Sequence, residues 1–137
     1  MSPEGMRDLA RLRIRQAHET LHDARILLEN SGSPRSVINR SYYAAFYAVS
    51  ALLASEGVSS RKHSGVISSF DQRFVKSGEI AVEFSRSLHE LFGMRSEDDY
   101  RTFNPVDHEK AAHALNLATA LVDATDHLLA RLLGDRP

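Results

Sequence analysis

Apolar residues recur at intervals of three and four along nearly the whole chain, and nowhere do they alternate with period two for long enough to make a convincing strand. That pattern commits the fold to helices. It is clearest near the C-terminus, where Ala111, Leu115, Ala118, Val122, Thr125, Leu129 and Leu132 hold helical spacing. The spacing predicts a last helix over about 104–133, opened by Asn104 as N-cap with Pro105 in its first turn and closed before Gly134. A first helix is expected over about 4–30, with Ala10, Ile14, Ala17, Leu21, Ala24 and Leu28 on one face. Gly32 stops it, Ser33 caps the next helix, and Pro34 suits that helix's first turn. The second helix, about 34–56, carries Ile38, Tyr42, Ala45, Val49 and Leu52 inward, with Arg40, Tyr43 and Tyr47 as a second stripe. "VSSRKHSG" reads as a loop, followed by a short helix over about 65–75. After "KSGE", a fourth helix from about residue 79 turns Ile80, Phe84, Leu88 and Leu91 inward. The expected architecture is an all-α, up-and-down helical bundle of four long helices and one short one, in a single domain over 1–137.

The chain has 137 residues, enough for one core, and its formal net charge of −1 provides no global field toward nucleic acid or membrane. A nucleic-acid role would need a local basic patch or a surface shared with a partner. The chain contains no cysteine, which excludes disulfides, thiolate zinc sites and cysteine nucleophiles. No apolar run approaches the ~18 residues of a membrane span, and "MSPEGMRDLARLRIRQ" lacks an apolar secretory core. A cytoplasmic location is expected. The last helix has a second apolar stripe, Ala114, Leu117, Leu121 and Leu128. One small bundle does not easily cover two such faces, so a homodimer formed through the long helices is expected.

In "LFGMRSEDDYRTF" the stripe of the fourth helix ends in a charge cluster. Four residues beyond Leu91 lies Arg95, and four further lies Asp99. A half-buried arginine needs a carboxylate, and Asp99 or Glu97 can supply it. One reading is a structural ion pair closing the end of the bundle. The other is an anion site.

Three segments, "INRSYYAAFYAVSALLASEGV", "KHSGVISSFDQRFVKSGEI" and "LFGMRSEDDYRTFNPVDHEKAAHAL", in this order and spacing, resemble the small stand-alone prokaryotic HEPN proteins. The shared features are the Asn-Arg-x-Tyr-Tyr-Ala-x-Phe run at Asn39 to Phe46, the His-Ser-Gly turn at His63, and Arg-x-x-x-Asp-Tyr at Arg95 to Tyr100. The resemblance covers about residues 7–133. It implies a helical bundle that usually dimerises, often encoded beside a small nucleotidyltransferase as the toxin half of a toxin–antitoxin pair. Many HEPN domains are metal-independent ribonucleases whose signature is an arginine followed four to six residues later by a histidine. There, arginine stabilises the phosphorane charge and histidine moves protons. Arg95 maps onto that arginine. The positions for the histidine hold Tyr100, Arg101 and Thr102, so the motif is degenerate. The resemblance also implies that a tyrosine just after the motif arginine can be nucleotidylated by the partner, a place that Tyr100 occupies.

The expected site is therefore a cleft between the second and fourth helices. Arg95 would contact phosphate, Asp99 orient it, Tyr100 stack or carry a modification, and Arg40 support them. Arg40, Tyr43 and Tyr47 could form a stacking surface for bases, or the tyrosines could pack against the fourth helix. His63 follows Arg61 and Lys62; it could touch phosphate, or its ring could cap the short helix. Arginine–histidine pairs at the ribonuclease spacing also occur at Arg13–His18, Arg11–His18 and Arg15–His22, on the wrong helix for that site. Another occurs at Arg101–His108, an alternative catalytic pair interrupted by Asn104-Pro105. His18 and His22 lack the further ligands of a di-iron bundle, so no metal site and no cofactor is expected.

Overall fold

The computed structural model describes residues 1–100 and 106–134, with side chains through 96 and again from 106. Among these residues the chain forms five α-helices: α1 (Pro3–Glu29), α2 (Pro34–Ser55), α3 (His63–Phe70), α4 (Val82–Tyr100) and α5 (His108–Leu132). A π-turn, Asp71–Val75, follows α3 directly. Its signature is the wide backbone bond from the Lys76 amide to the Asp71 carbonyl, 2.9 Å.

The helix at the centre is α2, packed against α1, α5, α4 and α3. Its composition explains the position. Alanines 44, 45, 48, 51 and 54 let neighbouring backbones approach, while Ile38, Tyr42, Val49 and Leu52 fill the space between them, all buried. The expected inward residues of α1, Ala10, Ala17, Leu21 and Ala24, are buried against it. Ser2 opens α1 by accepting a hydrogen bond from the Gly5 amide, and Ser33 opens α2 by accepting from Ser36.

Several expectations need correction. The left-handed residue that ends α1 is Ser31, with φ of 59°, rather than Gly32. Gly32 instead lies against Leu27, whose carbonyl accepts its amide at 2.6 Å. The short helix begins two residues early, at His63, and ends at Phe70, where the wider π-turn takes over. Helix α4 begins at Val82; Ile80 is buried from the preceding turn. The N-cap of α5 is Asp107, whose carboxylate accepts from the Lys110 amide at 2.9 Å, so the helix does not open at Asn104-Pro105. Leu132 is 42% exposed and Leu133 takes its place in the core.

The second stripe of α5 also behaves differently from expectation. Ala114, Leu121 and Leu128 are buried within the single chain, because α5 is flanked by α2, α1 and α4. The premise on which a second copy was expected therefore falls away. No helix among the described residues is long and apolar enough to cross a membrane.

Candidate functional site

Two adjacent stripes of α2 build the site. Tyr42 belongs to the core stripe and is fully buried, whereas Tyr43, Phe46 and Tyr47 are half-buried along its edge. Positions i, i+1, i+4 and i+5 of a helix share one broad face, so these rings form a continuous wall. Tyr43 meets Tyr42 edge-on at 5.3 Å between centroids, Phe46 at 6.1 Å and Tyr47 at 6.1 Å. Phe92 of α4 closes against Tyr42 at 5.9 Å.

One helical turn past Leu91, Arg95 is half-buried and faces this wall. Its guanidinium carbon lies 5.7 Å from the centroid of Tyr42 and 5.6 Å from that of Tyr43, within cation–π range. Its Nη2 donates to the Tyr43 hydroxyl at 3.4 Å. The Arg40 guanidinium lies 5.3 Å from the centroid of the same Tyr43 ring. Asn39 holds Arg40 there, accepting from its Nε at 3.2 Å and its Nη2 at 2.9 Å.

His63 reaches the same place from the first residue of α3. It stacks on Phe46 at 4.3 Å and 24°, and its Nδ1 is 2.7 Å from the Tyr42 hydroxyl. The ring does not cap α3; the N-cap there is Lys62, which makes no side-chain capping bond. Burial pushes the Tyr42 phenol well above the ordinary tyrosine range, against the opposing pull of Arg95, so it keeps its proton. A buried hydroxyl needs an acceptor, and His63 Nδ1 is the one the described residues offer. Tyr42 therefore donates, and the neutral imidazole carries its own proton on Nε2. Burial first, and the Arg95 charge second, lower the pKa of His63. At neutral pH the site holds two guanidiniums, a neutral imidazole N–H donor and a wall of π faces. That set can take an anion flanked by flat rings.

Of the residues expected from sequence, the fold brings together Arg40, Tyr43, Tyr47, His63 and Arg95. The expectations for Asp99, Tyr100 and Arg101 lie outside the described side chains. His108 is exposed at the first position of α5. Tyr42, Phe46 and Phe92 were not assigned to the site from sequence, and Tyr42 was assigned to the core alone. The signal that could have found them was the run Tyr42-Tyr43 and Phe46-Tyr47 itself, two aromatic pairs one turn apart. His18, weighed and set aside as a metal ligand, bonds Asp126 at 3.0 Å and ties α1 to α5.

A family model described as "HEPN domain" matches residues 10–128. The chain belongs to the HEPN domain family. Among related HEPN-like sequences, a Thermotoga maritima protein named "UPF0332 protein" is 38% identical over 115 residues, 84% of this chain and 86% of that one. Two Methanocaldococcus jannaschii proteins carry the name "Putative toxin". One is 34% identical over 88% of each chain, the other 32% identical over 90% of this chain and 82% of that one. The matched span of this HEPN protein contains Arg40, the aromatic wall, His63 and Arg95 together.

Proposed function

We propose that this HEPN protein is the toxin-like member of a toxin–antitoxin pair whose other member is a small nucleotidyltransferase, and that it engages nucleotide or RNA in the cytoplasm through the Arg95 cleft. The observation that carries this reading is the convergence of Arg95 and Arg40 on the single ring of Tyr43, with His63 on the same wall. Two like charges so close repel, and an anion between them relieves that repulsion. Phosphate supplies the anion and bases supply planes for the rings. The names of the two M. jannaschii relatives support the toxin half of the reading.

The proposal includes a homodimer. Leu12 and Ile26 on α1 and Leu132 on α5 are 41%, 44% and 42% exposed, large apolar side chains on the two long outer helices. It also includes Tyr100, at the last turn of α4, as the hydroxyl that the nucleotidyltransferase modifies. After co-expression with the partner, the Tyr100 peptide should gain the mass of a nucleotidyl group; an unmodified peptide ends that part.

The central experiment is growth on induction. The wild type should arrest growth, and Arg95→Ala should abolish the arrest while melting within a few degrees of wild type. Arrest that persists in Arg95→Ala removes the cleft from function. Arrest lost together with the fold leaves the runner-up, a non-catalytic interaction bundle in which Arg95 is structural. His108→Ala tests the pair Arg101–His108 as an active ribonuclease site, and its expected result is unchanged arrest.

A further inference from the structure

On the far side of Phe46 from His63 lies a second cavity of about 220 Å³, between α1, α2 and the loop before α3. Its walls include the rings of Phe46 and Tyr47, and its polar lining is Arg13, Ser50, Ser59 and Ser60. We infer that this cavity is a nucleobase subsite, receiving the base next to the phosphate held at Arg95 on a single RNA strand. The inference rests on the reading of the Arg95 cleft as an RNA contact.

Size points to a base. Drug-sized ligands occupy roughly 300–1,000 Å³, so this cavity suits one planar ring system rather than a whole nucleotide or a peptide. Chemistry points the same way. Phe46 and Tyr47 stand 6.2 Å apart at 66°, leaving apolar faces for stacking. The hydroxyls of Ser50 and Ser59 make no hydrogen bond to another described residue, so they remain for a base edge. Arg13 is held by Gln16, its Nη1 donating at 2.8 Å, which keeps a guanidinium at the lining. Position selects a strand over a free ring. Phe46 is a wall of the cavity and also stacks on His63, and it lies one ring contact, 6.1 Å, from Tyr43, on which Arg95 rests. Phosphate site and cavity are thus separated by the rings of Tyr43 and Phe46, a reach that suits a phosphate and its adjacent base.

The test uses the dinucleotide ApA and its two analogues that lack one base, which carry the same single phosphodiester charge, measured by calorimetry on the full chain. In the wild type, removing one of the two bases should weaken binding roughly tenfold, the size of a lost stacking contact. Tyr47→Leu should bind ApA no better than that abasic analogue, and Ser59→Trp, which fills the cavity from an exposed loop, should do the same with helix packing untouched. Equal binding of ApA and both abasic analogues in the wild type overturns the subsite while leaving the Arg95 reading intact. So does a base preference that survives both variants. Adenosine alone binding to Arg95→Ala, and lost in Ser59→Trp, makes this a free-nucleoside pocket and overturns the strand. No binding of ApA by the wild type sinks both readings.

Discussion

His63 shows how one side chain's titration reaches stability. Tyr42, Tyr43 and Phe46 face it from α2, Arg95 reaches the same rings from α4, and its pKa lies below the ordinary 6.5, through burial first and the Arg95 charge second. The unfolded chain therefore takes up this proton before the native chain does. Its contribution is full above pH 6.5 and declines as pH falls below it, until the native ring is protonated too. His63→Gln removes that titration alone. The stability advantage of wild type over the variant should shrink between about pH 7.5 and about pH 5.5, measured by urea unfolding; a constant difference would refute the assignment. Thr125 offers a second test. It is fully buried, and its hydroxyl has no partner among the described residues. Thr125→Val removes an unsatisfied polar group and should raise stability by about 1 kcal/mol, whereas a comparable loss would show that the hydroxyl is satisfied. Neither effect was legible in the sequence. Thr125 reads there as one more position in an apolar stripe, and the His63–Tyr42 bond joins residues that no local pattern relates. Arg95 was legible, because four residues past Leu91 a helix returns to the same face.

At the scale of elements, Asp71 joins two that sequence periodicity treats separately. From the start of the π-turn its carboxylate accepts from the Ser85 hydroxyl at 2.6 Å and bonds His89 Nε2 at 2.7 Å, both on α4. These bonds hold the first half of the helix whose last turns carry Arg95. Asp71→Ala should cost roughly 1–2 kcal/mol, since the carboxylate is half-buried and two partners lose it. Amide hydrogen exchange should rise along α4 more than along α1; a uniform rise would mean that the link is not local. The helices themselves were readable from spacing. Their ends were less so, because caps compete. Asn104-Pro105 and Asp107 both satisfy the rule for a helix start, and only the folded chain reveals that Asp107 accepts from Lys110. The π-turn was invisible, since its apolar residues Phe70 and Phe74 keep the four-residue spacing of an α-helix while the backbone widens.

For the molecule as a whole, light scattering should report twice the chain mass for the wild type, and Leu12→Glu with Leu132→Glu should halve it, since charge on the two long outer helices opposes their pairing. A mass unaffected by the pair moves the contact elsewhere or removes it. The burial of both α5 stripes inside one chain has a consequence for such an assembly. A protomer that closes its own core can separate from its twin without coming undone. Dilution then controls pairing while the melting midpoint stays put, and subunits drawn from different copies can trade places under conditions in which each remains intact.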